Sequence, residues 1–228
     1  GIARFGFVGF AVILSLFAVR IVVRAAAWSL SVYGPYSLRL RDTIPAVIIG
    51  EAASSIIPLG ILISGTAKAV AVRHRAPLVV GLSSVATENL FYSLSTSLFL
   101  IAGAVTFLRN STLEESWVLT IDVLIAAIVL LLIFLFLLVV RQWHIFSEAC
   151  ESLYRRGYFN GLLEHGRIQV RLFENLIFGF YRRYPKRFLP IFGLGMAYHL
   201  IGVVEVYYVL SRLSDAVPSL LTSFLLES

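Results

Sequence analysis

An all-α bundle crossing a membrane several times is the fold class this sequence predicts, and three observations predict it. Residues 123–140 read VLIAAIVLLLIFLFLLVV, a run without a side-chain polar atom, long enough as a helix to cross a hydrocarbon core ~30 Å thick. Hydrophobic residues make up 59% of the chain and charged residues 14%, with a mean hydropathy of +0.89, outside the usual range of a soluble domain. The cationic residues, which give a formal charge of +6, fall in short connections between apolar stretches, as the positive-inside rule requires. That placement argues against nucleic acid as a partner. The composition also leaves no room for a soluble catalytic domain within these residues. The single cysteine, Cys150, excludes an intramolecular disulfide and a cysteine-built metal site.

The first helix is expected over residues 5–23, with Arg20 and Arg24 snorkelling toward headgroups and Trp28 at the interface. A basic connector with Arg39 and Arg41 follows. The next apolar stretch, 44–63, is broken in its middle by Pro58 and Gly60 and ends in Ser64-Gly65, ahead of Lys68, Arg73, His74 and Arg75. Cations on both flanks put both ends in the cytoplasm and make residues 43–71 a re-entrant pair of half-helices. A single Pro-kinked spanning helix is the alternative. Residues 77–108 form a third element, and the connector 109–116 carries Glu114 and Glu115 against one arginine, which marks it as the outer loop. A fourth helix, 117–140, returns inward.

Residues 141–187 carry nine Lys/Arg against four Glu, a net of +5, and are read as cytoplasmic. Within them Glu151 and Arg155 are i,i+4 partners, and Gly157, Gly161 and Gly166 are expected to interrupt. Phe173, Ile177, Phe180 and Tyr184 recur at helical spacing opposite Arg167, Arg171 and Arg182. This amphipathic segment either lies on the inner leaflet or packs beneath the bundle. A fifth helix, 188–210, goes out. Because the chain opens on Gly1 and the last apolar stretch, 217–226, is too short to span, the expectation is one integral-membrane domain over residues 1–228 belonging to a longer protein.

Four carboxylates fall inside these spans: Glu51, Glu88, Asp122 and Glu205. An ionisable group at mid-membrane costs ~3 kcal/mol on insertion scales, so each needs a partner, a wet cavity or a proton. Asp122 lies near the outer end of its helix, within reach of headgroup water. Gly81, Ser84, Glu88, Tyr92 and Ser95 draw a small-and-polar stripe along one helical face, widened by Asn89, Ser93 and Thr96. Such a stripe faces a polar cavity or other helices packed closely through small residues. Glu51 precedes Pro58, and Lys68 follows in the second half-helix. A helix broken inside the membrane leaves N–H groups that favour an anion such as a lipid phosphate, and Lys68 would add a donor. Equally, Glu51 pairs with Lys68 or Arg73 to offset an insertion cost. His199 and Glu205 lie on different faces of the fifth helix and form no dyad.

The string GEAASSIIPLGILISGTAKAVAVRHRAPLVVGLSSVATENLFYSL, residues 50–94, resembles the lysylphosphatidylglycerol synthase transmembrane-region family, as do residues 20–28 and HLIGVVEVYYVL, 199–210. The resemblance implies a bacterial inner-membrane bundle with re-entrant helices that handles lipids. The leading reading is therefore a multi-pass inner-membrane protein that binds and translocates an amphipathic lipid or phospholipid. Its headgroup site or path is expected at Glu51, Pro58, Lys68, Glu88, Asn89 and Tyr92. No catalytic residue, metal or cofactor is assigned, because no metal-ligand spacing, phosphate loop or Ser/His/Asp constellation stands out. Partners are membrane lipids, anionic headgroups among them, and a homo-oligomer is compatible with the sequence. The membrane half of a lipid-modifying enzyme and a membrane scaffold are the two other readings.

Overall fold

In the computed structural model, which describes residues 6–56, 60–110, 115–142, 144–156, 160–213 and 219–227, every regular element among the described residues is helical. The order is α1 (Gly6–Leu30), α2 (Leu40–Ile56), α3 (Gly60–Ala71), α4 (Leu78–Asn110), α5 (Glu115–Arg141), α6 (Ile145–Arg155), α7 (Asn160–Arg183), a 3-10 turn (Pro185–Arg187), α8 (Phe188–Leu213) and α9 (Leu220–Glu227). Four stretches have the length and apolarity of membrane spans: α1, α4, Ser116–Val139 in α5, and Pro185–Leu213. Side-chain placement agrees. Phe7, Phe10, Leu119, Leu130, Phe136 and Leu189 point outward, while Thr43, Lys68, Ser84, Thr87, Glu88 and Ser95 are buried. That is the arrangement lipid imposes, since polar groups need partners inside and apolar ones lose nothing at the surface. The chain is a multi-pass membrane protein with an all-α fold.

The chain forms two compact units. One comprises Ala25–Leu90 and Ile133–Ile191; the other comprises Gly1–Arg24, Phe91–Leu132 and Phe192–Ser228.

In the first unit α2 and α3 pack side by side as a hairpin. Lys68 Nζ lies 3.4 Å from Glu51 Oε1, seventeen positions away. In one continuous helix those residues would be ~25 Å apart along the axis. The two half-helices therefore fold back on each other, and the kinked spanning helix is excluded. Asp42 Oδ1 and Arg75 Nε, 3.4 Å apart, close the mouth of the hairpin, so its two ends lie together on one side. Thr43, Ala46, Val47 and Gly50 form the inner face of α2, and Ile48, Ile49 and Ile56 its exposed face. Pro58 lies outside the described residues, as does Glu114.

Trp28 is buried, and its indole N–H donates to Ser84 Oγ at 2.9 Å. It joins α1 to α4 rather than marking an interface, because a buried indole needs an acceptor and Ser84 supplies one. Arg187 donates to the carbonyls of Leu30 and Val32 at 3.0 and 3.2 Å, covering carbonyls that the end of α1 leaves without helical partners.

Gly161 and Gly166, expected to interrupt the segment, lie within α7 instead. Two glycines cost a helix only ~2 kcal/mol, which the burial of Ile177, Phe178 and Phe180 offsets. The last two turns of α7 thus pack into protein, whereas Ile168 and Leu172 before them remain exposed. Buried Glu174 accepts hydrogen bonds from the backbone N–H of Phe146 (3.0 Å) and Ser147 (3.3 Å). It caps α6 from a neighbouring helix, since His144 makes no side-chain cap there.

Candidate functional site: a charged hairpin and a cation–aromatic network

Four predicted site residues among the described ones, Glu51, Lys68, Glu88 and Asn89, fall in the hairpin unit. Lys68 belongs to the last turn of α3, so the expected position beside a half-helix N-terminus is corrected. Eight residues of helix, ~12 Å, separate it from Gly60, and a cation is instead favoured by the carbonyl end of the dipole. The ammonium is almost fully buried, whereas Glu51 keeps a side-chain exposure of 36%. Gly50 makes this approach feasible: a Cβ there would lie 2.7 Å from Lys68 Cγ and 3.0 Å from the Ser64 carbonyl oxygen. The lysine stem is packed on bare backbone while its charge is turned to Glu51.

Glu88 is also buried, at 2% exposure, and faces away from lipid. Its neighbours on the stripe are committed to helix packing. A Cβ on Gly81 would meet Ala69 Cβ at 3.2 Å, and Ser84 receives the Trp28 N–H. Small residues here bring α4 against α3 and α1, the packing alternative for this face. Asn89 is half-buried.

Tyr92 belongs to the second unit and opens a network the sequence reading missed. The Arg24 guanidinium lies over its ring, 4.6 Å from the centroid, and Arg20 lies 4.2 Å over Tyr198. Arg20 also pairs with Glu205 Oε2 at 3.0 Å and Glu227 Oε1 at 3.2 Å. The snorkelling expected of Arg20 and Arg24 is thereby corrected, because both guanidiniums find charge or π-face partners inside the protein. Their i,i+4 spacing was the available signal, since it puts two cations on one helical face. His199 is stacked between Tyr92 and Phe99, with ring centroids 5.6 and 5.0 Å away, and Nε2 is 3.0 Å from Thr96 Oγ1. His199 and Glu205 thus have separate partners, as their different faces predicted. Asp122 is exposed on α5.

At the mouth of the hairpin, burial alone would raise the Asp42 carboxyl. The Arg39 N–H, donating at 3.2 Å, and the charges of Arg75 and Arg41 outweigh it and hold the group below its usual range. Among the described residues no group of three or more His, Cys, Asp or Glu is placed to hold a metal ion.

Four apolar spans, a folded-back pair of half-helices and part-buried ion pairs define a polytopic membrane domain. Residues 2–226 match the family described as Lysylphosphatidylglycerol synthase TM region, and the chain belongs to that family. No curated protein and no solved structure matches it.

Proposed function

We propose that this protein binds a membrane lipid and moves it between leaflets of a bacterial inner membrane, without itself being an enzyme. The observation that carries the reading is the Glu51–Lys68 pair. A closed hairpin of two short helices holds a buried ammonium against a carboxylate that remains one-third exposed, an expensive arrangement in lipid unless used. Glu51 is the group an amphipathic headgroup would meet, and Lys68 holds it in place at 3.4 Å. Glu88, buried in the same unit, adds a second carboxylate for charge balance. Membership in a family described by a phospholipid synthase supports lipid as the substrate class. The same description favours a second reading, in which this domain serves a lipid-modifying enzyme whose chemistry lies elsewhere.

The test compares Glu51→Gln, Lys68→Met and the double variant in vesicles carrying a fluorescent phospholipid, with thermal midpoints measured in detergent. Methionine keeps the stem packed on Gly50. Each single change is expected to slow lipid movement at least ~10-fold, the double variant remaining slow, while stability falls by ~1–3 kcal/mol. Recovery of both stability and movement in the double variant would reduce the pair to mutual neutralisation and sink the assignment.

A further inference from the structure

A second charged feature lies on α6 and α7 and shares no residue with the hairpin pairs. The two helices enclose a cleft of about 410 Å³ lined by Arg155, Arg156, Arg167, Arg171, Glu148 and Glu151, with His144 and two serines. Four arginines against two glutamates leave a net charge of +2. The pairing within it is uneven. Arg167 Nη1 contacts both oxygens of Glu151 at 3.2 and 3.0 Å, and Arg155 Nε reaches Glu151 Oε1 at 3.4 Å. Arg167 in particular holds the Glu151 carboxyl below its usual range. Arg167 also lies 4.2 Å over the Tyr154 ring, so its guanidinium is fixed between α6 and α7. Arg156 and Arg171 are exposed, and among the described residues neither has an ion-pair partner.

The same helices present Ile145, Phe146, Leu153, Ile168 and Leu172 as exposed apolar side chains, Phe146 at 65%. Exposed apolar groups and cations together on short helices are the composition of an element lying in the headgroup layer. Position agrees, since α6 begins at Ile145, six residues after Val139, where the membrane span in α5 ends.

We infer that the α6–α7 cleft binds the phosphate headgroup of an anionic phospholipid, through Arg156 and Arg171, while the apolar faces beside it enter the leaflet. The Glu151–Arg167 pair is the clamp that holds the cleft open between the helices, and Glu148 is the carboxylate opposing the anion. This site is separate from Glu51 and Lys68, and it holds a lipid rather than moving one.

The experiment titrates the full chain in detergent with short-chain phosphatidylglycerol, phosphatidylcholine or inorganic phosphate and measures affinity. One cation near an anionic surface is worth about a factor of five. Arg156→Gln with Arg171→Gln is therefore expected to weaken phosphatidylglycerol binding at least ~10-fold. The lysine pair at the same positions should retain most of the binding. Glu148→Gln should tighten it several-fold, a direction unfolding cannot produce. Wild-type affinity in the double glutamine variant would overturn the proposal. So would equal binding of phosphatidylcholine, which would leave only the apolar faces, or inorganic phosphate displacing the lipid at equal concentration, which would make this a site for a soluble anion.

Discussion

Gly50 shows how one residue decides whether a charge can be kept inside a membrane protein. The absent Cβ is the space the Lys68 stem occupies, 2.7 Å from Cγ and 2.8 Å from Cε, so even a methyl group must move the lysine or part the half-helices. Gly50→Ala is expected to destabilise the protein by about 1–3 kcal/mol, read as a lower unfolding midpoint in detergent. A midpoint equal to wild type would show that Lys68 is free to leave and that the packing argument is mistaken. Trp28 is the complementary case, where sequence position points to an interface and an available serine acceptor makes it a packing residue.

At the scale of elements, the α2–α3 hairpin is the informative unit. Charge on both flanks and a Pro/Gly break made a re-entrant pair legible, but the competing kinked helix has the same composition. The choice rests on tertiary contacts, Glu51 with Lys68 and Asp42 with Arg75. Cysteines placed at Arg41 and Arg73 in a Cys150→Ser background should label from the same side of the membrane; opposite labelling would require a crossing. The Asp42 contact also has a pH signature. A carboxyl held below its ordinary value in the folded state contributes stability above that ordinary value, about pH 4, and the contribution disappears as pH falls through the depressed one. Between pH 6 and about pH 3, wild type should lose more thermal stability than Asp42→Asn. Parallel losses in the two would remove the mouth contact from the account.

At the scale of the whole molecule, the described charges of α1 and α8 are held by pairing, Arg20 with Glu205, whereas Asp122 of α5 stays exposed. Arg20 joins Glu205 of α8 to Glu227 of α9, so an eight-residue helix too short to span is tied to α1. Arg20→Met is expected to cost ~3–5 kcal/mol by leaving two carboxylates without their cation, and adding Glu205→Gln and Glu227→Gln should return most of it. Thermal midpoints of the single and triple variants measure this, and a triple variant no more stable than the single would mean the network is not an ion-pair unit.

Sequence alone determined the class: apolar runs of spanning length with cations between them define a polytopic helical membrane domain. It also marked the charged residues as exceptional, because a carboxylate in a 59% hydrophobic chain needs a reason wherever it sits. What it could not determine was each charge's partner. Glu51 had Lys68 and Arg73 within reach, Arg20 and Arg24 were read as snorkelling to headgroups, and the α4 stripe suited a cavity or a packed helix. Tertiary structure decided these, since ion pairing and close packing depend on separations of 3–4 Å between residues far apart in the chain, and helical periodicity reports only which face a residue occupies.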